Sequence, residues 1–371
     1  MTTREQLPAS DHNARVTAVR DVLDGRTMVL SHGTNIRWLT GFGGSLAWLV
    51  IGPERFALLT DGRYRDRAIA DLDAAGLNTD VIVRATRPDL ADALVATVAG
   101  PGAVLAEADH LSHAAWGSLA ERFAIEPAGG LVEGLRRVKD NGEVVRMARA
   151  ADIADRTLVE VAPMLFDGPT EADVRDELEY RMRRHGADGP SYDTIVASGP
   201  QHAARPHHQT ARRTIEAGDT VIIDVGALID GYHSDMTRTF VIGEPDARQH
   251  EIYTLVRESQ AAGLAAVGPG VPAVDVDAAC RTVFRDAGYE DWFIHGTGHG
   301  VGLDIHEEPF SSPASTSELK VGDVVTVEPG LYRDGFGGVR IEDLVSVTAT
   351  GCAPFTHLSK DAPCLPSPPT T

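Results

Sequence analysis

Residues 220–242, TVIIDVGALIDGYHSDMTRTFVI, decide how the C-terminal half of the chain folds. Two runs rich in β-branched and apolar residues, 220–225 and 236–242, flank the segment GALIDGYHS. Such runs, separated by glycine and aspartate, are typical of antiparallel strands joined by turns. The pattern therefore predicts a paired hairpin that carries Asp224 on its first strand and Asp235 beside its second.

Asp224 and Asp235 are unusual because each stands close to apolar strand residues. A carboxylate in such surroundings must be paired, protonated or bound to a metal, since the burial of a bare charge is costly. Paired strands would let both carboxylates converge on one ion or bridge two. The alternative is a pair of turn aspartates that face solvent, and these two residues alone do not decide between the interpretations.

Three later segments also place a ligand-type side chain in or beside an apolar run. They are HGTGHGVGLDIHEEP with His299, VEPGLY with Glu328 and GVRIEDL with Glu342. The glycines around His299 permit close backbone approach, and the segment contains neither a dinucleotide-binding fingerprint nor HExxH. For Glu342 the alternative is a buried ion pair with Arg340, which faces the same side of a strand. Together with the two aspartates, these side chains form a ligand set suited to divalent cations.

The composition is that of an ordinary globular protein. Of the 371 residues 43% are hydrophobic and 24% are charged, and the length predicts two domains. The net charge of −20 argues against nucleic-acid binding. Three widely spaced cysteines without a CxxC pair predict no disulfide scaffold and favour a cytoplasmic location. The polar N-terminus and the short apolar runs predict neither a signal peptide nor a membrane span.

The pattern of elements divides the chain into two parts. Strand and helix patterns alternate over residues 1–137, which predicts a small α/β domain there. Residues 138–362 are predicted to form an α+β domain, with helices between groups of antiparallel strands. Its helices are expected over 141–165, 169–186, 251–267 and 275–287, and strands in DVVTVEPGLY and GVRIEDLVSVT, with Glu328 at a strand end. Residues 363–371 are expected to be disordered.

The order Asp, Asp, His, Glu, Glu in these contexts resembles the pita-bread (M24-type) metallopeptidases, the family of Xaa-Pro aminopeptidases, prolidases and methionine aminopeptidases. The segment NIRWLTGFGGSLAWLV at 35–50 resembles the creatinase-type N-terminal domain, which methionine aminopeptidases lack. LRRVKDNGEVVRMARAADIAD at 135–155 resembles the connection between the two domains. The resemblance implies a creatinase-like α/β domain followed by a pita-bread catalytic domain, in which helices cover a curved antiparallel sheet.

The resemblance also implies a dinuclear metal centre. Its ligands in this sequence would be Asp224, Asp235, His299, Glu328 and Glu342. Manganese is the expected metal, with cobalt, zinc and iron as alternatives. A hydroxide that bridges the two ions would attack the scissile carbonyl. Glu328 resembles the family's proton-shuttling glutamate, so it is expected to act in catalysis as well as in metal binding.

Two histidines are implied to be catalytic. The stretch PSYDTIVASGP at 190–200 resembles the family's lead-in to an active-site histidine, which points to His207. Because the following loop is one residue longer than the family pattern, His208 and His202 are alternatives. His306 is expected to lie on the other side of the tetrahedral intermediate, where one of the two could donate a hydrogen bond to the developing oxyanion.

Two further residues are implied to bind substrate or to support the ligands. His295 is expected to line the pocket for the residue after the scissile bond. Arg340 is expected to orient carboxylate ligands, with direct binding of a substrate carboxylate as the alternative.

The activity implied by the resemblance is hydrolysis of the Xaa-Pro bond, either at the N-terminus of peptides or in dipeptides. The expected substrates are small peptides with proline at the second position, and the expected assembly is a homodimer. One rival interpretation keeps the fold and assigns a metal-dependent hydrolase or lyase of a small non-peptide substrate. Another assigns a catalytically inactive module that binds peptides or proteins. The sequence does not separate an aminopeptidase from a dipeptidase.

Overall fold

In a computed structural model, residues 7–98, 100 and 102–363 of the chain are described. The chain divides into two compact units between Arg136 and Arg137. The first unit is Ala9–Arg136, and the second comprises the described residues from Arg137 onward together with Leu7 and Pro8. Apart from Pro363, the tail expected to be disordered (363–371) lies outside the described residues.

The first unit is an α/β structure around one mixed sheet with the strand order β4-β3-β2-β1-β5-β6. Its strands are β1 (Met28–Leu30), β2 (Trp48–Ile51), β3 (Phe56–Asp61), β4 (Asp80–Arg84), β5 (Val104–Ala106) and β6 (Ile125–Pro127). Its helices are α1 (His12–Leu23), α2 (Gly33–Thr40), α3 (Arg65–Ala74), α4 (Arg87–Val98), α5 (His113–Ala120) and α6 (Leu131–Arg136). The predicted alternation of strands and helices is confirmed.

The sequence pattern missed α1, α2, α6 and β6 in this unit. Helix α2 begins after His32, whose side chain makes no capping hydrogen bond, so the usual start signal is missing. Helix α6 and strand β6 have only 6 and 3 residues, too few for a periodic pattern to stand out.

The described strands of the second unit form four sheets in which every strand pair is antiparallel. The strands are β7 (Gly189–Pro190), β8 (Ile195–Ser198), β9 (Thr220–Asp224), β10 (Ala227–Ile229), β11 (Tyr232–His233), β12 (Thr237–Val241), β13 (Gly298–Gly300), β14 (Glu307–Ser311), β15 (Val324–Val327), β16 (Gly330–Arg333), β17 (Gly337–Arg340), β18 (Asp343–Thr348) and β19 (Gly351–Pro354). The sheet orders are β12-β9-β8, β11-β10-β7, β14-β13-β15-β18-β19 and β16-β17.

The helices of the second unit are α7 (Asn141–Val161), α8 (Glu171–Arg184), α9 (Gly199–His202), α10 (Ala247–Ala266) and α11 (Ala273–Asp286), with 3-10 turns at Ala162–Asp167 and Glu290–Trp292. Capping boxes start α7, α8 and α10, because in each the N-cap side chain and the third helical residue bond each other's backbone N–H. The helix predicted over 141–165 ends at Val161 and continues as a 3-10 turn that contains Pro163. None of the helices in the described part of the chain has the length and apolarity to cross a membrane.

The strand pair predicted from residues 220–242 is present, and Asp224 of β9 lies opposite Thr237 of β12. The connection is not a simple turn, since β10 and β11 form a hairpin of their own between the two strands. Asp230 and Gly231 make the turn of that inner hairpin with positive φ angles of 49° and 77°.

The two C-terminal strand segments are each interrupted at a glutamate. DVVTVEPGLY divides into β15 and β16 at Glu328, as expected, because Pro329 cannot donate to a strand ladder. GVRIEDLVSVT divides into β17 and β18 at Glu342, which the sequence pattern did not predict. Both glutamates therefore lie at junctions between sheets.

Helices of the second unit pack against its sheets. Leu158 of α7, Leu178 of α8 and Ile223 of β9 are fully buried in one apolar cluster, while Cys280 of α11 packs with Val345 of β18 in another. Each buried leucine contributes about 1.5–3 kcal/mol to folding. Because successive residues of a strand face opposite sides, the burial of Ile223 against the helices turns the next residue toward the opposite face.

Candidate metal centre

A cavity of about 640 Å³ opens in the second unit. All the side chains predicted from the sequence to form the site line it, namely Asp224, Asp235, His299, Glu328, Glu342, His207, His295, His306 and Arg340. The fold thus brings residues from five separate segments to one place.

Asp235, His299 and Glu342 form the tightest cluster of ligand-type groups. One ligand atom from each lies within 4.8 Å of the other two. The Nε2 atom of His299 lies 3.6 Å from Oδ2 of Asp235 and 3.4 Å from Oε1 of Glu328. An imidazole nitrogen and several carboxylate oxygens therefore face a common centre.

Junctions between sheets hold the acidic residues in place. The backbone N–H of Glu342 donates to the carbonyl of Thr237 at 3.1 Å, and the Thr237 hydroxyl donates to Oε2 of Glu342 at 2.7 Å. The backbone N–H of Glu328 donates to the carbonyl of Thr297 at 2.7 Å. Since Thr237 lies opposite Asp224, this threonine links a candidate ligand on β9 with one at the junction of β17 and β18.

The orientation of His299 is fixed by its neighbours. Its Nδ1 lies 3.0 Å from the carbonyl of Gly300, so Nδ1 carries the proton in the neutral ring and Nε2 faces the carboxylates. A Cβ at Gly298 would lie 2.1 Å from the Thr326 carbonyl, and one at Gly300 would lie 2.4 Å from the Glu308 carbonyl. The glycine-rich sequence around His299 is therefore required by the close approach of the neighbouring strands.

The pKa shifts in the cluster indicate that its carboxylates repel one another when they are all ionised. Burial and the charge of Asp224 raise the pKa of Asp235 to about 8. Burial and the surrounding carboxylates raise the pKa of Glu342 well above its usual range. Burial alone would lower the pKa of His299, but the hydrogen bond and charge of Glu328 raise it to about 9. A divalent cation would relieve this repulsion, so the donor set fits such an ion.

Glu328 behaves differently from the other carboxylates. Burial would raise its pKa, but the hydrogen bond and charge of His299 lower it to about 2. The Thr326 hydroxyl also donates to Oε1 of Glu328 at 3.2 Å. Glu328 is therefore held in the ionised form at neutral pH.

Tyr192 joins the two aspartates and was not singled out from the sequence. Its hydroxyl oxygen lies 2.5 Å from Oδ1 of Asp224 and 2.5 Å from Oδ1 of Asp235. A phenol has one proton, so it donates to only one of them at a time. Burial and the two aspartate charges raise the pKa of Tyr192 well above its ordinary value, which keeps it a donor. The available signal was its place in PSYDTIVASGP, the stretch that resembles the family.

Arg340 forms hydrogen bonds to residues of the candidate metal centre. Its Nη2 lies 2.6 Å from Oδ2 of Asp224 and its Nε lies 3.0 Å from the Thr237 hydroxyl. Its Nη1 donates to the Pro206 carbonyl and to the Tyr332 hydroxyl, both at 3.0 Å. Among the described residues its ion-pair partner is Asp224, not the Glu342 considered as an alternative from the sequence.

Of the three histidines considered for the first catalytic position, only His207 lines the cavity, where it is exposed. His202 and His208 instead contact the buried carboxylate of Glu171. On the other side, the ring of His306 lies 4.5 Å from that of His299 between centroids. Partial desolvation and the nearby His299 lower the pKa of His306, so its ring is neutral near pH 7.

His295 lies in the cavity wall with both ring nitrogens engaged. Its Nδ1 donates to the Gly296 carbonyl at 2.7 Å, and its Nε2 accepts from the Tyr332 hydroxyl at 3.0 Å. Burial lowers the pKa of His295, which favours this neutral tautomer. The ring face, rather than a ring nitrogen, is therefore what His295 presents to the cavity. Tyr332 was not singled out from the sequence, and no sequence signal marked it.

Comparison with known proteins supports the resemblance noted in the sequence. Residues 145–349 match the model of metallopeptidase family M24, and residues 15–138 match the creatinase/prolidase N-terminal domain. Uncharacterized peptidase YqhT of Bacillus subtilis is 36% identical over 341 residues, which cover 91% of this chain and 95% of the relative. The Xaa-Pro dipeptidase of Pyrococcus furiosus is 41% identical over 231 residues, which cover 62% of this chain and 66% of the relative.

Solved structures show the same fold over nearly the whole length. The Xaa-Pro dipeptidase from Bacillus anthracis superposes with a TM-score of 0.91 at 34% identity and covers 95% of this chain and 100% of that one. The X-Pro aminopeptidase from Thermotoga maritima superposes with a TM-score of 0.86 at 31% identity, covering 94% and 99% of the two chains. The predicted fold class is confirmed, and the chain belongs to metallopeptidase family M24, with a creatinase/prolidase N-terminal domain ahead of its peptidase domain.

Proposed function

We propose that the chain is a metal-dependent exopeptidase that hydrolyses the Xaa-Pro bond in dipeptides or at the N-terminus of longer peptides. One observation carries the proposal: the four candidate carboxylate ligands and four histidines line a single cavity. The relatives named as Xaa-Pro dipeptidases and as an X-Pro aminopeptidase support the substrate class. We further propose a homodimer, from the resemblance to the family, and a cytoplasmic location, from the use of cysteine.

The candidate ligands Asp224, Asp235, His299, Glu328 and Glu342 would hold two divalent ions. Manganese is proposed, with cobalt, zinc and iron as alternatives, because all tolerate this mixture of oxygen and imidazole donors. When bound, the ions would supply the Lewis acidity that makes water nucleophilic near neutral pH and polarises a peptide carbonyl.

Glu328 is proposed to accept a proton from the attacking water and to pass it to the leaving nitrogen. Because His299 lowers its pKa against the effect of burial, the carboxylate of Glu328 is ionised and carries no proton that it must lose first. The nitrogen of any peptide bond must gain a proton to leave as an amine, and the proline nitrogen, which carries no N–H in the peptide, then leaves as a secondary amine.

His207 and His306 are proposed to flank the reacting carbonyl, because both are exposed where they line the cavity. The neutral ring of His306 has one N–H, which could stabilise negative charge as it develops on the carbonyl oxygen. His295 would contact the substrate through its ring face, in keeping with a place beside the residue after the scissile bond.

Arg340 is proposed to position Asp224 rather than to bind substrate. Four of its five N–H groups already bond Asp224, Thr237, Tyr332 and the Pro206 carbonyl. A substrate carboxylate would normally need a free pair of N–H groups for a two-point contact.

A peptide panel tests the function. The purified protein would be assayed with Mn²⁺, Co²⁺ and Zn²⁺ on Gly-Pro, Ala-Pro and Ala-Pro-Ala, with Ala-Gly as the matched peptide without proline. The proposal expects release of the N-terminal residue from the proline peptides, abolished by a chelator. Cleavage confined to dipeptides would mark a dipeptidase. No release with any metal would contradict the proposal and favour a non-peptide substrate. A protein that also binds fewer than two ions per chain would favour the inactive binding module.

A further inference from the structure

A buried carboxylate outside the metal centre forms hydrogen bonds to several parts of the loop that carries His207. Glu171, the first residue of α8, is 0% exposed. Its Oε1 accepts hydrogen bonds from the backbone N–H of Ser198 at 2.8 Å and from the Ser198 hydroxyl at 2.7 Å. Its Oε2 accepts from the backbone N–H of Ala211 at 3.1 Å. One carboxylate therefore ties together the two ends of segment 198–211.

Two histidines within this segment reach the same carboxylate. Nδ1 of His202 lies 3.0 Å from Oε1 of Glu171, and Nε2 of His208 lies 3.3 Å from Oε2. The two rings stack with their centroids 4.2 Å apart. Both the ends and the middle of segment 198–211 therefore contact Glu171.

His207 lies between two anchored neighbours. The residue after it, His208, contacts Glu171, and the carbonyl of the residue before it, Pro206, accepts a hydrogen bond from Nη1 of Arg340 at 3.0 Å. His207 itself is exposed to the cavity. Its position therefore depends on how the backbone on either side is held.

The contacts of Glu171 are suited to fixing a position rather than only to filling space. Hydrogen bonds depend on direction as well as distance, unlike apolar contacts, and a satisfied polar network in a buried place favours one arrangement. Accuracy matters here, because a misplacement of about 1 Å at a reacting group can lower a rate about 100-fold.

We infer that Glu171 is a positioning residue for His207. It fixes segment 198–211 so that the His207 imidazole stays in the cavity beside the candidate metal ligands. The inference rests on the catalytic role proposed for His207. Under this inference Glu171, His202 and His208 contribute to the activity of His207, although these three residues do not line the cavity.

The first test does not depend on activity. Hydrogen exchange followed by mass spectrometry would compare the wild-type protein with Glu171→Gln, which keeps the shape but replaces an acceptor oxygen with a donor. Exchange within 198–211 is expected to become faster by about tenfold or more, with little change elsewhere in the second unit. The matched control is Glu160→Gln, since Glu160 also contacts a histidine, His185, and its other partners are Arg156 and Arg181.

The second test asks whether the effect passes through His207. Glu171→Gln is expected to lower kcat about tenfold or more in the wild-type background. In a His207→Ala background the same change should lower kcat less than about twofold, because contacts that act as one unit are not additive. A general loss of stability would instead lower kcat by the same factor in both backgrounds. Should Glu171→Gln not fold, His208→Gln replaces it and should show smaller changes of the same kind.

Unchanged exchange in 198–211 would overturn the inference whatever the substrate is. Equal losses of kcat in the two backgrounds would also overturn it and leave the proposed function standing. Full activity of His207→Ala would overturn both the role of His207 and the inference. If the wild-type protein cleaves no Xaa-Pro peptide, the proposed function fails, and the exchange measurement alone decides whether Glu171 fixes the segment.

Discussion

Nη2 of Arg340 and Oδ2 of Asp224 lie 2.6 Å apart, although the two residues are separated by 116 positions in the chain. The same guanidinium bonds Thr237, whose hydroxyl donates to Glu342. One arginine therefore supports a candidate ligand on β9 and another at the junction of β17 and β18, an arrangement that commonly tunes metal affinity.

Replacing Arg340 with lysine should weaken metal binding while the fold is retained. Lysine keeps the positive charge but cannot reproduce the planar fork that reaches Asp224 and Thr237 together. We expect the affinity for Mn²⁺ to fall about 10–100-fold, the range typical of lost supporting contacts. Titration calorimetry would measure it, with Arg333→Lys as the control, since Arg333 is the exposed last residue of the neighbouring strand β16. An unchanged affinity in a folded variant would show that Arg340 does not orient the ligands.

Metal binding should release protons near neutral pH. Burial and Asp224 raise the pKa of Asp235 to about 8, and Glu328, against the effect of burial, raises that of His299 to about 9. Both groups therefore hold a proton at pH 7 that a cation must displace. Affinity should rise as the pH increases from 7 through 9. Calorimetry at pH 7 in two buffers of different ionisation enthalpy would reveal the released protons. Binding heats that do not depend on the buffer would refute this expectation.

Glu328→Gln should lower kcat far more than it raises KM. The amide has the size of the carboxylate but cannot accept a proton, and loss of general acid–base catalysis typically costs about 10²–10⁴-fold in rate. Steady-state kinetics on an Xaa-Pro dipeptide would test this, alongside the bound metal per chain, because Glu328 is also a candidate ligand. The control is Glu308→Gln, an exposed glutamate whose carboxylate bonds Ser317. A variant that keeps both metal and full kcat would remove Glu328 from the proposed mechanism.

Gly298→Ala should disrupt the centre through the backbone. The added methyl group would lie 2.1 Å from the Thr326 carbonyl, so strands β13 and β15 must move apart and take His299 with them. Overpacking of this kind costs about 1–3 kcal/mol. We expect a lower melting temperature and weaker metal binding. At Gly268 an alanine would make only ordinary contacts, the nearest at 3.7 Å, so Gly268→Ala is the matched control. Equal behaviour of the two variants would contradict the close-approach argument.

Much of the fold could be predicted because its signals are local. The strands around Asp224 are marked by β-branched residues, and the helices that begin after Asp140 and Thr170 carry capping boxes in their sequence. The candidate ligands were identifiable because a carboxylate in an apolar strand is costly unless something compensates its charge. Each of these features is encoded by residues that lie close together in the sequence.

Other features depend on contacts between distant segments. The strand is interrupted at Glu342, whose backbone N–H donates to the carbonyl of Thr237, 105 positions earlier. No residue near Glu342 in the sequence indicates this interruption. Tyr192 bonds Asp224 and Asp235 only because three segments meet. Which of three similar histidines lines the cavity likewise depends on distant contacts, since His202 and His208 contact Glu171 while His207 lines the cavity.

The candidate ligands come from separate groups of strands, and this has a consequence for the stability of the protein. Asp224 and Asp235 belong to the side of β9 and β12, while His299, Glu328 and Glu342 belong to the side of β13, β15 and β18. Ions bound by residues of both groups would act as reversible cross-links between the two groups of strands. Ligand present at 100 times its dissociation constant stabilises a folded protein by about 2.7 kcal/mol. Loss of the ions would remove this stabilisation, so metal content would affect the resistance of the protein to proteases as well as its activity.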